Sequence, residues 1–136
     1  MEFEQLKGLA DFRFALRQFV AASEGINREG GITQQQYQAL LVIRTADGGP
    51  PSIGAFADQL LLTHHAAVQL ADRLTRAGLA LRIRSEEDRR TVRLALTELG
   101  GTLLDSLAAR HLKEMLRLEP QLTRSLRRLK GVARSG

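Results

Sequence analysis

The sequence predicts a mainly α-helical domain with one small β-hairpin. Three observations support this prediction. Apolar residues recur at helical spacing along most of the chain, and aromatic residues make up only 4% of it. The period changes to two only between Gly78 and Thr97, where two short alternating runs flank a polar segment. The length of 136 residues suits one domain with one core.

The first helix is predicted over about residues 3–24. Its large apolar residues recur every three or four positions: Phe3, Leu6, Leu9, Phe12, Leu16, Phe19 and Val20. Gly25 and the pair at 30–31 indicate the loop that follows. Such an apolar face on a terminal helix needs a partner, from this chain or from another.

A capping-box pattern begins the second helix. Thr33 stands three residues before Gln36, the spacing at which each side chain bonds the other's backbone N–H. The helix is expected from Gln34 to about Thr45. The glycines and prolines in 47–51 can support neither a helix nor a central strand.

Two short helices are predicted next. Ser52 can cap the first of them and Thr63 the second, which ends at Gly78. The residue in the turn between them is Leu61, so either this turn is strained or the first helix runs longer. The second helix has one apolar stripe, made by Ala67, Leu70, Ala71, Leu74 and Ala77.

A hairpin is predicted after Gly78. Its apolar face is expected to carry Leu79, Leu81, Ile83, Val92, Leu94 and Leu96, and its polar face Arg82, Arg84 and Arg93. The segment 85–90 holds no apolar residue, so it is expected to be a solvated tip. Two helices followed by a two-stranded wing make a winged helix-turn-helix, here about residues 32–97.

A long helix is expected after the wing. Thr97 can cap it, and its apolar stripe extends to about Glu119. Pro120 is expected to break it before a last helix. The tail from Val132 is expected to be disordered. The terminal helices thus span about 3–24 and 98–130.

Charge is distributed unevenly along the chain. Residues 1–62 hold five Lys/Arg and seven Asp/Glu, a net −2, whereas residues 63–136 hold fifteen and eight, a net +7. The basic half contains the second short helix and the wing, where a polyanion would be met. Charge of this kind alone also occurs in many soluble helical proteins.

Several functional classes find no support in the sequence. No cysteine is present, which excludes a disulfide framework and a thiol redox sensor. His64, His65 and His111 lack the spacing of a metal site, and no nucleophile motif or phosphate-binding loop appears. We therefore expect no catalytic activity, cofactor or metal. The charged N-terminus and the lack of a long apolar run predict a soluble cytoplasmic protein.

Four motifs in order resemble the MarR family of winged helix-turn-helix transcription regulators: Asp72-Arg73-Leu74, Gly78-Leu79, Asp88-Arg89-Arg90 and Leu96-Thr97-Glu98-Leu99-Gly100. Residues 32–37, Ile-Thr-Gln-Gln-Gln-Tyr, match the start of the family's second helix. The resemblance implies a homodimer interlocked through the terminal helices. It also implies a ligand-responsive repressor that binds double-stranded DNA at a pseudo-palindromic site, with a small aromatic or phenolic acid as effector.

The candidate DNA-binding residues lie on the second short helix and on the wing. They are Thr63, His64, His65, Val68, Gln69, Arg73 and Arg76 on the helix, and Arg84, Asp88, Arg89 and Arg90 on the wing. Gln69 can pair with adenine and Val68 can meet a thymine methyl group. The resemblance places Arg90 in the minor groove, with Asp88 holding its guanidinium.

An alternative stays open at this point. Family members more often carry serine and threonine on this helix, where this chain has His65, Ala66 and Val68. The wing tip, with acidic residues beside its arginines, could equally be a solvated turn. A winged-helix module that binds protein and not DNA would also have these features.

Overall fold

The computed structural model describes residues 1–84, 86–88 and 90–135, except for the side chains at 132, 134 and 135. Its elements in chain order are α1 (Phe3–Glu29), α2 (Gln34–Thr45), α3 (Ile53–Leu60), α4 (His64–Arg76), β1 (Ala80–Arg84), β2 (Val92–Leu96) and α5 (Glu98–Ser135). The predicted fold class, mainly α with a small β-wing, is confirmed.

The predicted helix starts are confirmed by their caps. Thr33 accepts a hydrogen bond from the Gln36 N–H at 3.0 Å, and the Gln36 side chain accepts one from the Thr33 N–H at 2.9 Å. The hydroxyls of Ser52, Thr63 and Thr97 each accept from the backbone N–H three residues on. These bonds satisfy N–H groups that have no partner inside the helix.

Helix α1 continues past its predicted end. Gly25 lies inside the helix, which extends to Glu29. Ser23 and Asn27, two residues before and after it, are buried. The chain leaves the helix only at Gly30 and Gly31, and Gly31 has φ +77°. The prediction that a loop begins at Gly25 is therefore wrong.

Helix α5 also runs through its predicted break. Pro120 is exposed and lies inside one continuous helix that reaches Ser135. Leu118 and Ser125 are buried on either side of it, so packing maintains the helix where the proline lacks an N–H donor. The separate last helix is therefore a wrong prediction, and residues 132–135 of the tail that was expected to be disordered are helical. Gly136, the last residue of that tail, lies outside the described residues.

Small residues of α1 make its contact with α5. Gly8 and Ala15 are buried, and a Cβ at Gly8 would lie 2.7 Å from a Leu129 methyl group. Arg128 adds ion pairs to Glu4 at 2.6 Å and to Asp11 at 3.2 Å. Six large apolar side chains of α1 stay exposed: Phe3, Leu6, Leu9, Phe14, Leu16 and Val20.

One core fills the space between α2, α3, α4, the hairpin and the first turns of α5. Its largest fully buried apolar side chains are Leu40, Phe56, Leu70, Leu74, Leu94 and Leu107. The glycine at position 100 brings α5 against the end of α4, since a Cβ there would lie 2.9 Å from the Leu79 carbonyl carbon. The core thus fixes α4 and the wing relative to α5.

The hairpin is antiparallel, but its two faces carry other residues than the sequence predicts. Arg82 pairs with the buried Leu94, whereas Ile83 pairs with Arg93. Residues paired across an antiparallel sheet share a face, so Arg82 and Arg84 lie on the side of Leu94, and Arg93 lies on the other. The single polar face predicted for the three arginines is wrong. Leu79 precedes the strand, and the inner face begins one residue later, at Ala80.

Candidate nucleic-acid interface

The turn between α3 and α4 sets the angle of the two helices. Leu61 has φ 55° and ψ 40°, a left-handed conformation that favours glycine. The Leu62 N–H donates to the Ala57 carbonyl at 2.9 Å, and the Leu61 N–H donates to that of Asp58 at 3.2 Å. This pattern is a Schellman motif. Leucine thus takes the glycine position of the turn with backbone strain, and α3 ends at Leu60.

Helix α4 presents a polar face to solvent. Ala67, Leu70, Ala71 and Leu74 are buried on one side. At 100° per residue, His65, Gln69 and Arg76 point in the opposite direction, and all three are exposed. Thr63 caps the helix, which leaves the N-terminal turn and its partial positive charge open to an anion. This is the geometry of a helix that enters a DNA groove.

A groove of about 390 Å³ separates α4 from the wing. It brings together residues from α3, α4, β1 and β2 and the segments beside them: Ser52, Ile53, Gly54, His64, Val68, Arg82, Arg90, Thr91 and Val92. Three of the predicted DNA contacts, His64, Val68 and Arg90, therefore border one concavity. The Arg90 guanidinium makes no hydrogen bond or ion pair within the described ranges.

Asp88 organises the wing tip through the backbone. Its carboxylate accepts hydrogen bonds from the Arg90 N–H at 3.0 Å and from the Thr91 hydroxyl at 2.9 Å. The Arg90 N–H, followed by the Thr91 hydroxyl, holds the pKa of Asp88 below its ordinary value. Asp88 thus fixes the main chain that carries Arg90, and its predicted contact with the Arg90 guanidinium stays a prediction.

Asp72 has a role that the sequence left open. It lies on α4, beside the exposed face that carries Gln69 and Arg76. Its carboxylate accepts a hydrogen bond from Arg82 of β1 at 2.6 Å. The pair joins α4 to the wing and neutralises a carboxylate that would repel DNA. The ion pair could have been predicted only from the hairpin register, which places Arg82 on the same side of the hairpin as Leu94.

The other predicted residues occupy varied positions. Arg73, Arg76 and Arg84 are exposed, and the Arg76 Nε donates to the Asp72 carbonyl at 3.3 Å. Arg93 donates to the Pro50 carbonyl at 2.9 Å on the other side of the hairpin. The structure does not bring Arg93 to the α4 groove. Arg89 lies outside the described residues.

Two further observations bear on the class of protein. Within residues 1–84, 86–88 and 90–135, no group of three His, Asp or Glu side chains is placed to hold a metal ion. None of the helices in this part of the chain is both long enough and apolar enough to cross a bilayer.

Comparison with known proteins gives a family match over the winged helix. Residues 30–91 match the model of the MarR family. This stretch is therefore similar to the winged helix of the MarR family. The match contains α2, α3, α4, β1 and every residue of the groove except Val92, so the resemblance seen in the sequence motifs is confirmed. No curated protein sequence matches the chain.

Solved MarR-type structures share the fold over more than this stretch. AbsC, a MarR family transcriptional regulator from Streptomyces coelicolor, has a TM-score of 0.79 at 20% identity, over 99% of this chain and 95% of its own. A MepR mutant from S. aureus bound to an oligodeoxyribonucleotide has a TM-score of 0.69 at 18% identity, over 91% and 90%. CouR from Rhodococcus jostii RHA1, bound to p-coumaroyl-CoA, has a TM-score of 0.67 at 25% identity, over 74% and 69%. The chain therefore has the fold of MarR-type regulators, α1 and α5 included.

Proposed function

We propose that this chain is a sequence-specific DNA-binding transcription regulator, a repressor that acts as a homodimer through binding and not catalysis. The observation that carries the proposal is the groove between α4 and the wing. Gln69 stands exposed on α4, and Arg90 borders the groove with a guanidinium that has no partner among the described residues. An amide aimed at base edges and an arginine at the adjacent backbone or minor groove are complementary contacts.

Selection of random duplex DNA on the purified protein tests this proposal. A two-fold symmetric consensus is expected, with half-sites about 10 bp apart, because two recognition helices of a dimer meet the same DNA face one turn apart. Affinity should fall steeply with salt as phosphate contacts are screened. Failure to enrich any sequence at low salt would favour a winged helix that binds protein instead.

The exposed apolar surface of the terminal helices supports the homodimer. Large apolar side chains on α1 and α5 are exposed: Phe3, Leu6, Leu9, Phe14, Leu16 and Val20 on α1, and Leu112, Met115, Leu116 and Leu126 on α5. A patch of this size on a monomer would promote association. We propose that a second copy of the chain covers it, with the domain spanning 1–136 and dimerisation helices at its two ends.

Charge insertion tests the dimer. The double variant Leu112→Lys, Leu116→Lys places two cations one helical turn apart on the exposed face of α5, where these side chains are 58% and 63% exposed. We expect this variant to sediment as a monomer while retaining its helical circular-dichroism spectrum. Leu99→Lys, at a 60% exposed position beside the wing, is the matched control and should stay dimeric. A wild-type protein that is monomeric at micromolar concentration would contradict the proposal.

We further propose that the regulator responds to a small aromatic or phenolic acid. A groove of about 440 Å³ between α1 and α5 is lined by Ile26, Arg110, Lys113, Glu114 and Arg117. Lys113, beside the apolar Ile26 and the ion-paired Arg110 and Arg117, suits the carboxylate of an aromatic acid. Titration with p-coumarate and benzoate should release the DNA, and acetate should not. Lys113→Ala should weaken the response without altering DNA affinity in the absence of ligand.

A further inference from the structure

A buried polar cluster lies where α1, α2 and α5 meet. It consists of Ser23 and Asn27 of α1, Gln34 and Tyr37 of α2, and His111 of α5, and is here named the polar joint. Asn27 is 1% exposed, Ser23 3% and His111 6%. These residues line neither the groove at α4 nor the one between α1 and α5.

The polar joint follows the apolar core along α5. Leu104 and Leu107 of α5 are buried in the core that α2, α3 and α4 share. One turn further along α5, the contact with α2 is made by His111, whose ring stacks on that of Tyr37. The ring centroids are 4.0 Å apart and the planes are 16° from parallel. The polar joint thus lies at the boundary between the winged-helix core and the terminal helices.

Side-chain contacts in the polar joint connect all three helices. The Ser23 hydroxyl oxygen lies 2.8 Å from His111 Nε2 and 3.0 Å from the side-chain amide of Gln34, the first residue of α2. The Asn27 side-chain amide lies 2.5 Å from the same atom of Gln34. A hydroxyl can donate or accept, and so can an amide that is turned over, so these pairs can bond in more than one direction. The argument below needs only their positions.

One end of the Asn27 amide has no partner. Asn27 Oδ1 is buried and has no hydrogen bond among the residues that the structure describes. Turning the amide over would place its nitrogen there instead, so one polar end stays unpaired in either orientation. A buried polar group without a partner lowers stability. Asn27 therefore contributes specificity at a cost in stability, as a single buried asparagine does between packed helices.

Polar contacts fix the angle between helices more narrowly than apolar contacts do. Apolar contact has no direction, so it changes little when one helix turns slightly on another. A hydrogen bond weakens steeply outside its narrow range of distance and angle, and a buried group that loses its partner pays a high cost. Rotation of α2 against α1 and α5 would therefore disrupt several contacts of the polar joint together.

We propose that the polar joint determines which half-site spacing the regulator accepts, because it fixes the angle between each winged helix and the terminal helices of a dimer. This inference rests on the proposed function. The angle sets the distance and rotation between the two copies of α4, and thus the half-sites that both can reach. One inserted base pair moves a half-site by about 3.4 Å and turns it by about 35°. A firm joint resists this displacement, whereas a loosened joint follows it.

Distances between spin labels on the DNA-free protein test the positioning. The chain has no cysteine, so Gln59→Cys at an exposed position of α3 gives each protomer one labelled site. The distance between the two labels of a dimer should be narrowly distributed, and the distribution should broaden when Asn27→Ala or Gln34→Ala is added. Gln38→Ala, at an exposed glutamine one turn further along α2, is the matched control and should leave it unchanged.

Two outcomes of the label experiment would overturn the proposal. The first is a distribution that stays equally narrow with Asn27→Ala and with Gln34→Ala. The second is the absence of any distance between labels, which would show a monomer and overturn the homodimer as well.

DNA affinity for sites of altered spacing tests the specificity. The selected site is compared with versions that have one base pair added or removed between the half-sites. In Asn27→Ala and Gln34→Ala the loss of affinity on altered sites should be about fivefold smaller than in the wild type, a typical size for coupling between sites. Gln38→Ala should match the wild type. Equal losses in all four proteins would overturn the role in spacing.

Melting curves separate positioning from a general loss of stability. Asn27→Ala should melt near the wild-type temperature, because loss of its contact with Gln34 is offset by removal of the unpaired end and by the helix preference of alanine. A spacing preference that relaxes only in variants with a much lower melting temperature would overturn the proposal. Wild-type protein that binds no DNA at any spacing would overturn the proposed function and the role in spacing. The label distances would still decide whether the polar joint positions the winged helix.

Discussion

The Asp72 carboxylate and the Arg82 guanidinium, 2.6 Å apart, join α4 to the first strand of the wing. Both side chains are partly exposed, at 44% and 35%, so solvent screens their attraction. The pair therefore contributes little to the free energy of unfolding. Its effect is geometric, because it fixes the distance between the helix that carries Gln69 and the wing that carries Arg90.

A double-mutant cycle measures this effect. Asp72→Ala, Arg82→Ala and the double variant should each change the free energy of unfolding by less than about 1 kcal/mol. Their effects on DNA affinity should be non-additive, with a coupling energy of about 0.5–3 kcal/mol. The measurement is affinity for the selected site at fixed salt. Additive losses would show that the two residues contact DNA independently.

Gly100 is predicted to be indispensable for packing. A Cβ at this position would lie 2.9 Å from the Leu79 carbonyl carbon, and still closer to its oxygen, so backbone would have to move. Gly100→Ala should lower the free energy of unfolding by several kcal/mol or prevent folding, as overpacking against backbone does.

The next residue supplies the control for Gly100. A Cβ at Gly101 would lie 3.6 Å from an Arg44 nitrogen, an ordinary contact with a flexible side chain. Gly101→Ala should raise the free energy of unfolding by up to about 1 kcal/mol, the helix preference of alanine over glycine. Urea unfolding of Gly100→Ala and Gly101→Ala measures both changes in the free energy of unfolding. Equal effects would contradict the packing argument.

Leu61 shows where strain is stored. A leucine in the left-handed conformation costs about 1–2 kcal/mol, and this side chain is 93% exposed, so burial offsets none of it. Leu61→Gly should raise the free energy of unfolding by up to about 1 kcal/mol, since glycine's greater freedom in the unfolded chain offsets part of the gain. Leu60→Gly, at a partly buried helical position, should lower it. A destabilised Leu61→Gly would refute the strain.

The helix starts could be predicted from sequence because capping is local. Thr33 and Gln36 lie three residues apart, and no distant contact alters their reciprocal bonds. The ends of α1 and α5 could not be predicted in this way. Gly25 and Pro120 are weak helix residues. Their conformation depends on contacts between α1, which ends at Glu29, and α5, which begins at Glu98.

The hairpin register and the contact between His111 and Ser23 could not be predicted from local patterns for the same reason. Leu79, Leu81 and Ile83 alternate perfectly, yet Leu81 is 47% exposed because the inner face begins with Ala80. His111 lies 88 residues from Ser23, and the sequence shows only that it is an isolated histidine. The candidate groove was predictable in part, since His64, Val68 and Arg90 border it, but the partner of Asp72 was not.

The wing tip should respond to acid through Asp88. Hydrogen bonds from the Arg90 N–H and the Thr91 hydroxyl lower the pKa of this carboxyl from its ordinary value of 3.8. A lowered pKa stabilises the fold above the unfolded value, and that stabilisation is lost as pH falls through the folded one. The amide signals of Arg90 and Thr91 should therefore titrate with a midpoint below 3.8. Asp88→Asn should abolish the titration, and a midpoint above 3.8 would contradict the bonds.

The contributions of Arg90 and Gln69 should differ in kind. An arginine at the phosphates or in the minor groove releases counterions, so Arg90→Ala should weaken binding to every sequence and reduce the salt slope by about one charge. A glutamine at a base edge reads sequence, so Gln69→Ala should cost about 1–3 kcal/mol at one position of each half-site with little change in the salt slope.

Salt-titrated affinities for the selected site and its single-base variants separate these two effects. Both side chains are exposed, so neither substitution should lower the melting temperature much, and a matched melting curve excludes unfolding as the cause. Thr102→Ala, at an exposed position on α5 outside the groove, is the control for substitution at the surface. If Arg90→Ala leaves both the affinity and the salt slope unchanged, the wing does not contact DNA. A uniform loss over all sequences in Gln69→Ala would assign that residue to the backbone, and base reading would then fall to His65 or Val68 on the same helix.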